Sequence, residues 1–305
     1  MIKSVTITSK LASRKIDLRD PSTSGFALVN ISGLGPVKSN ITISDTALAN
    51  GGVFNTARTS YRSIAITLVY MPGHVKLPEQ EREWMSIEDL RNYTYQLCPN
   101  QSEVNLLIEN DNGIYSIDGY VEDNNVNIFS SREGSVINIL CPDPYFRNAT
   151  DGDEKMTVFT GIEPEFEFAF SNESLTQKLL ETGEIKKISL NNVLYKGTIN
   201  TGTRIVLSFN GDAKNIKLFN LTTSELLSIN RPFVSGDNLE ITSVVNNKKV
   251  ILTHGSVKTN IIGSLDLMSD WINLQPGDNV IGYQAEEGDN HIEMRIYYKE
   301  YCLSI

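Results

Sequence analysis

Val104-Asn-Leu-Leu-Ile-Glu-Asn-Asp-Asn-Gly-Ile-Tyr-Ser-Ile117 decides the fold class. Val104, Leu106 and Ile108 fall on alternate positions, as do Tyr115 and Ile117. Between them Asn110-Asp111-Asn112-Gly113 supplies residues that tolerate positive φ, so the stretch reads as a β-hairpin. The same period of two runs outward. Toward the N-terminus it appears at Val5 and Ile7, at Ile41 and Ile43, and at Ile64, Ile66 and Leu68. Toward the C-terminus it appears at Val136, Ile137 and Ile139. Each of these predicts a half-buried strand. Gly51-Gly52 marks a further turn.

One segment of this half breaks the period. Ser86 with Asp89 three residues on is a capping-box pattern, and Ile87, Leu90, Tyr93 and Leu97 then recur at helical spacing before Pro99. That predicts one amphipathic helix. Asn148 to Glu154 is polar and charged, as linkers are. Beyond it the β rhythm resumes at Phe166–Phe170, Ile185–Leu190, Thr203–Phe209, Ile216–Asn220, Leu239–Ile241, Val250–Leu252, Val280–Tyr283 and Ile292–Tyr298. Turns every 8–12 residues or so are the spacing of a β-sandwich. Leu175, Leu179 and Leu180 before Gly183 suggest a short helix. The expected organisation is mostly β: a β-rich domain with one α-helix at 1–148, a linker at 149–157 and a sandwich at 158–305.

The chain has 305 residues, 40% hydrophobic and 21% charged, which excludes a disordered, collagen-like or coiled-coil protein. With 27 basic and 37 acidic side chains the net charge is −10. Nucleic-acid binders draw affinity from Lys and Arg against phosphate, so this balance argues against direct nucleic-acid binding and against anionic membranes. By count, residues 1–150 hold 13 basic and 16 acidic groups, and the rest hold 14 and 21. Cys98, Cys141 and Cys302 have no zinc-ligand spacing and are expected as reduced thiols. No apolar stretch approaches the roughly 20 residues of a membrane span, and no signal-peptide core follows Met1.

The search for chemistry returns little. His74, His254 and His291 form no HExxH or CxxH pattern, and no GxSxG elbow exists. Asp151-Gly-Asp-Glu154 lacks the register of a calcium loop, and Glu286-Glu287-Gly288-Asp289 reads as an acidic turn between strands. Gly33-Leu-Gly-Pro36 is a turn and not a phosphate cradle, because Pro36 has no N–H to donate. Trp271 is a candidate carbohydrate contact. It lies in Ser269-Asp-Trp-Ile-Asn-Leu274, where alternation puts Trp271 and Asn273 on one face and Ile272 and Leu274 on the other.

Several runs taken in order carry a resemblance. They are Gly33-Leu34-Gly35-Pro36, Gly52-Val-Phe-Asn55, Arg58, Tyr61-Arg62-Ser-Ile64, Tyr115 to Glu122, Asn127 to Ser130, and Cys141-Pro142-Asp143-Pro144-Tyr145-Phe146. In the second half they are Asn220-Leu-Thr-Thr223, Gly236 to Ile241, Asn247-Lys-Lys-Val250, Ser269 to Leu274 and Pro276-Gly-Asp-Asn279. Together they resemble the distal tail protein (Dit) family, the siphovirus-type tail components of long-tailed bacteriophages. The Cys141–Phe146 run is the most specific, and Gly33, Gly35 and Pro36 belong to the same structural signature.

The resemblance implies a non-enzymatic hub without metal or cofactor, at the virion tail tip or in a tail-like particle, made in the bacterial host cytoplasm. Residues 1–148 would be a ring-forming belt domain, and the second domain a galectin-like or carbohydrate-binding-module-like sandwich. The implied partners are the chain itself as a homohexameric ring, the tail tube protein, the tail-associated fibre or lysin protein, and receptor-binding proteins at the periphery. Two other functions compete: an adhesion module contacting host glycan through Trp271, and a wall hydrolase, which would need a carboxylate pair at glycosidase separation.

Overall fold

Glu103–Asn110 and Gly113–Val126 pair antiparallel from Asn110↔Gly113 to Glu103↔Tyr120, as the hairpin pattern predicts. The computed structural model describes residues 1–11, 14–45, 50–77, 80–128, 132–163, 184–187 and 190–305. The expected strand at 166–170, the short helix before Gly183 and part of the Asn127–Ser130 run lie outside these residues.

The chain forms two units: Met1–Asp153 together with Tyr301–Ile305, and Glu154–Glu300. In the first, a nine-stranded antiparallel sheet runs in the order Arg14–Asp17, Ile2–Ser9, Glu103–Asn110, Gly113–Val126, Gly134–Cys141, Arg62–Tyr70 and Phe26–Ser32. Phe146–Asn148 and Tyr301–Cys302 are added beside Gly113–Val126. The alternation seen in the sequence becomes one buried row: Val5, Ile7, Ile64, Ile66, Leu68, Val104, Leu106, Ile108, Ile137 and Ile139. Each such side chain contributes about 1.5–3 kcal/mol by leaving water.

The expected helix spans Ile87–Leu97 with Ser86 as N-cap, and the capping box with Asp89 is complete. Leu90, Thr94 and Leu97 are buried, and Ile87 and Tyr93 pack against the same core. The Thr94 hydroxyl lies 3.3 Å from the Tyr70 hydroxyl, a polar tie from helix to sheet.

Three expectations are corrected here. Ile41 and Ile43 do lie in a strand, Ser39–Asp45, but it is not half-buried: every residue in it is exposed, because it pairs with Gly52–Thr59 alone and joins no sheet. Residues 149–157 are not a free linker. The Ala149 N–H donates to the Ile114 carbonyl (2.8 Å) and the Ile114 N–H to the Thr150 hydroxyl (3.0 Å), which holds Ala149 and Thr150 to the first unit. Lys155–Val158 is a strand of the second unit paired with Ile292–Tyr298. Nor does the second unit run to residue 305, since Tyr301–Ile305 belong to the first.

In the second unit a six-stranded sheet (Lys155–Val158, Ile292–Tyr298, Arg204–Phe209, Asp237–Thr242, Lys249–His254, Val257–Asn260) contributes Ile205, Leu207, Leu239, Ile241, Met294 and Ile296 to the core. A four-stranded sheet (Leu190–Tyr195, Gly277–Glu287, Ala213–Asn220, Glu225–Phe233) contributes Val193, Ile216, Leu218, Leu227, Ile229 and Ile281. Both sets share one cluster, so the unit is a two-sheet sandwich. Glu225–Phe233 had no clear strand signal, because Arg231-Pro232 interrupts its alternation. It is the edge of its sheet, where a proline without an N–H is tolerated.

Candidate assembly surface

The hairpin Ser39–Asp45/Gly52–Thr59 carries an apolar surface with no cover in the monomer. Ile43 stands opposite Phe54, and Ile41 opposite Ala57. Ile41, Ile43, Val53 and Phe54 are 58%, 61%, 58% and 63% exposed. Its two strands hold one acidic and one basic residue, Asp45 and Arg58; the rest are apolar or small and polar. Asn55 donates to the Ser44 hydroxyl and Asn40 to that of Ser60 (2.8 Å) across the pair. A lone two-stranded ribbon is marginal in water. Contiguous exposed apolar side chains on such a ribbon mark an interaction site.

The signature residues meet at one buried cation. Arg62 is 2% exposed and begins the strand that follows the hairpin. Its guanidinium donates through Nε to the Pro144 carbonyl (2.6 Å), through Nη1 to the carbonyls of Gly33 and Gly35 (2.7 Å for the latter), and through Nη2 to that of Leu303 (2.6 Å). The group also lies over the Phe146 ring, 4.4 Å from its centroid. The planar fork of arginine reaches four acceptors that the point charge of lysine could not. Burial pushes its pKa below the ordinary arginine value, with the neighbouring Cys141 working weakly the other way.

Close approach accounts for one of the two glycines. Gly33 has φ +87°, and a Cβ there would stand 2.1 Å from the Ser63 carbonyl; at Gly35 nothing lies within 4 Å. Gly35 and Pro36 belong to the turn whose carbonyls face Arg62, and Pro142, Asp143 and Tyr145 to the turn that presents the Pro144 carbonyl. Asp143 accepts from the Tyr145 N–H (3.2 Å), shaping that second turn. Cys141 pairs with Arg62 in the sheet, and burial raises its thiol to about 12. Cys98 is raised to about 12 by the same cause. None of the three cysteines is in a disulfide and all are buried. Arg62 was visible in the sequence only as one member of the Tyr61–Ile64 run. What marks it out is the set of four carbonyls, which three distant segments bring together.

The motifs of the second unit are also internal ties. Asn220 donates to the Asn273 carbonyl (2.8 Å) and accepts from the Thr222 N–H (3.0 Å). Asn279 accepts from the Gln275 N–H (3.0 Å) and donates to the carbonyls of Gln275 and Gly277. Both are fully buried, and both have partners, as buried amides require. Glu225 takes the backbone and side-chain N–H groups of Asn273. The face assignment for 271–274 agrees with the burial: Ile272 and Leu274 are inside. Trp271 packs on the edge of the core with the Lys248 ammonium 5.2 Å from its ring centroid, so its indole face already has a cation over it.

Among the described residues no cluster of three or more His, Cys, Asp or Glu could hold a metal ion. His254 pairs with the buried Asp237 (2.7 Å), and His291 with the Asp212 carbonyl (2.8 Å). Among the described residues no helix is long and apolar enough to cross a membrane.

Residues 196–301 match the family described as siphovirus-type tail component, C-terminal domain. No curated protein matches the chain. Among solved structures, the SPP1 Dit (gp 19.1) protein, called a paradigm of the hub adsorption apparatus in Gram-positive-infecting phages, aligns with a TM-score of 0.62 at 16% identity, covering 97% of this chain and 98% of that one. A chain of the phage P2 baseplate in its activated conformation with Ca aligns with a TM-score of 0.47 at 13% identity over the full length of both. The expected resemblance is thus met by the family match within the second unit, and by a shared fold along nearly the whole chain.

Proposed function

We propose that this protein, whose residues 196–301 match a siphovirus-type tail component domain, is a non-enzymatic hub of a phage tail or baseplate, located at the virion tail tip. The observation that carries this reading is agreement in fold with the SPP1 hub protein over 97% of the chain. In this reading the first unit closes a homohexameric ring. One face of the ring meets the tail tube protein and the other the tail-associated fibre or lysin protein, and receptor-binding proteins attach outside. A cyclic ring needs a head-to-tail interface, in which one patch meets a different patch on the next copy. The hairpin at 39–59 supplies the first patch: it is apolar, nearly uncharged and free of the sheet. The strand Phe26–Ser32, which among the described residues has one side without a strand partner, is suited to be the second by strand addition.

Sedimentation velocity and negative-stain images test this on the full chain, alone and with the tube protein. The expected result is a six-membered ring, lost in the double variant Ile43→Lys/Phe54→Lys while the melting of both units is unchanged. A full chain that stays monomeric to near-millimolar concentration with tube protein present would overturn the hub reading. A ring that survives the double variant would move the interface elsewhere.

A further inference from the structure

Residues 301–305 return to the first unit after the whole of the second has been made. Tyr301 and Cys302 pair antiparallel with Arg147 and Phe146. The Leu303 carbonyl is the fourth acceptor of Arg62, and the Ile305 N–H donates to the Leu34 carbonyl (3.4 Å). Cys302 is buried in the core of this unit and Ile305 packs against it. The Tyr301 ring meets that of Tyr145 edge to face, 6.4 Å between centroids. The signature turn 33–36, the run 141–146 and this segment therefore share one buried cation. Without the segment, Arg62 keeps three of its four carbonyls, and Phe146–Asn148 keeps its pairing with Gly113–Val126 but loses its other ladder partner and becomes an open edge. A buried charge stripped of an acceptor is among the costlier losses in a fold.

We infer that the first unit carries a strand-docking groove, made by the edge of Phe146–Asn148, Arg62 and the Leu34 carbonyl. Its occupant is the extended segment Tyr301–Ile305, and the unit enters a ring only when the groove is filled. The inference rests on the ring proposed above. The hairpin at 39–59 is synthesised early, whereas the groove is filled only after residue 300. Chains that stop inside the second unit therefore carry the adhesive hairpin on an incomplete sheet and are kept out of the ring. Recognition is by backbone pairing at 301–302, by the Leu303 carbonyl on Arg62, and by apolar side chains at 302 and 305, so a free peptide of that sequence is a competent ligand.

The test compares residues 1–305, residues 1–300, and residues 1–300 with synthetic Tyr-Cys-Leu-Ser-Ile under reducing conditions, by sedimentation velocity. The expected result is a ring for the first, at least a tenfold loss of assembled material for the second with the melting of the second unit unmoved, and recovery in the third. Assembly of residues 1–300 equal to that of the longer chain overturns the inference. If residues 1–300 do not stay soluble, Cys302→Lys in the 305-residue chain replaces them: loss of the ring with a native circular-dichroism spectrum supports the groove, and an intact ring overturns it. If the 305-residue chain makes no ring at all, the hub reading fails, and the groove is then read by the anisotropy of a fluorescent form of the peptide on residues 1–300. Saturable binding that the 305-residue chain does not show supports the groove; no binding overturns it.

Discussion

The hairpin at 39–59 and the strand Arg62–Tyr70 are separated by two residues and have nearly the same composition of Ile, Val, Thr and Ala, yet they have opposite fates. Ile64, Ile66 and Leu68 are sealed between neighbouring strands and the helix-bearing core, while Ile41, Ile43 and Phe54 face water. Both carry alternating apolar residues. They differ in the number of partners: Arg62–Tyr70 lies between two strands of a nine-stranded sheet, and among the described residues each strand of the hairpin has only the other. Alternation thus says that a segment is a strand with one apolar face; it does not say which molecule covers that face.

The largest expected effect lies at the junction of the two regions. Gly33→Ala forces a left-handed backbone onto an L side chain and drives its Cβ into the Ser63 carbonyl. We expect a loss of at least about 3 kcal/mol from the first unit, read by chemical denaturation. Two residues on, Gly35→Ala meets nothing within 4 Å. A large loss at Gly35 as well would mean that the turn, and not the close approach, is what matters.

Next in size is the contrast itself. Ile66→Ala should cost about 2–5 kcal/mol through the cavity it leaves. Ile43→Ala should change the stability of the monomer by less than about 0.5 kcal/mol and should act instead on assembly. Equal losses in the two variants would show that the hairpin is packed in the monomer.

Alkaline pH separates the regions by a different route. Burial raises the thiols of Cys98 and Cys141 to about 12, against about 8.5 for an open thiol. Above pH 8.5 the unfolded chain releases these protons and the folded chain keeps them. The unfolded state then binds fewer protons, so stability falls as pH rises, with a window from about 8.5 to about 12. The slope is about 1.4 kcal/mol per pH unit per thiol, or about 2 kcal/mol per thiol by pH 10. All three cysteines lie in the first unit. Its melting transition should therefore drop between pH 8.5 and 10 while that of the second holds, and Cys141→Ser should remove part of the drop. A parallel decline of both transitions would sink this account.

The smallest effect concerns the second unit. Trp271→Ala loses packing at the core edge and the Lys248 contact, about 1–2 kcal/mol. It should leave ring formation unchanged, as a surface outside the hairpin and the groove should. Glycan-array binding by the parent that this variant loses would revive the adhesion reading.

Much of this was legible because it is local. The capping box at Ser86 and Asp89, the Asn110–Gly113 turn and the faces of residues 271–274 each involve groups within a few positions of one another, and each matches the structure. Glu225–Phe233 was obscured because Pro232 is acceptable only at a sheet edge, and edge status is not a local property. The exposure of the strand that holds Ile41 and Ile43 is not legible in its alternation, because burial depends on partners. Arg62 gave no separate signal because its acceptors come from residues 33, 35, 144 and 303.

The sequence by itself determined the class: period-two alternation and turn residues commit the chain to antiparallel β structure, and capping chemistry commits Ile87–Leu97 to helix, since both follow from backbone sterics and neighbouring side chains. It also carried the family resemblance, while the short helix Pro21–Ser24 gave no signal. Tertiary structure alone decided that Tyr301–Ile305 belong to the first unit, and that Cys141–Phe146 and Gly33–Pro36 are two sides of one buried guanidinium. Those outcomes depend on which distant backbone carbonyls converge, and every residue has a carbonyl, so residue type cannot encode the choice.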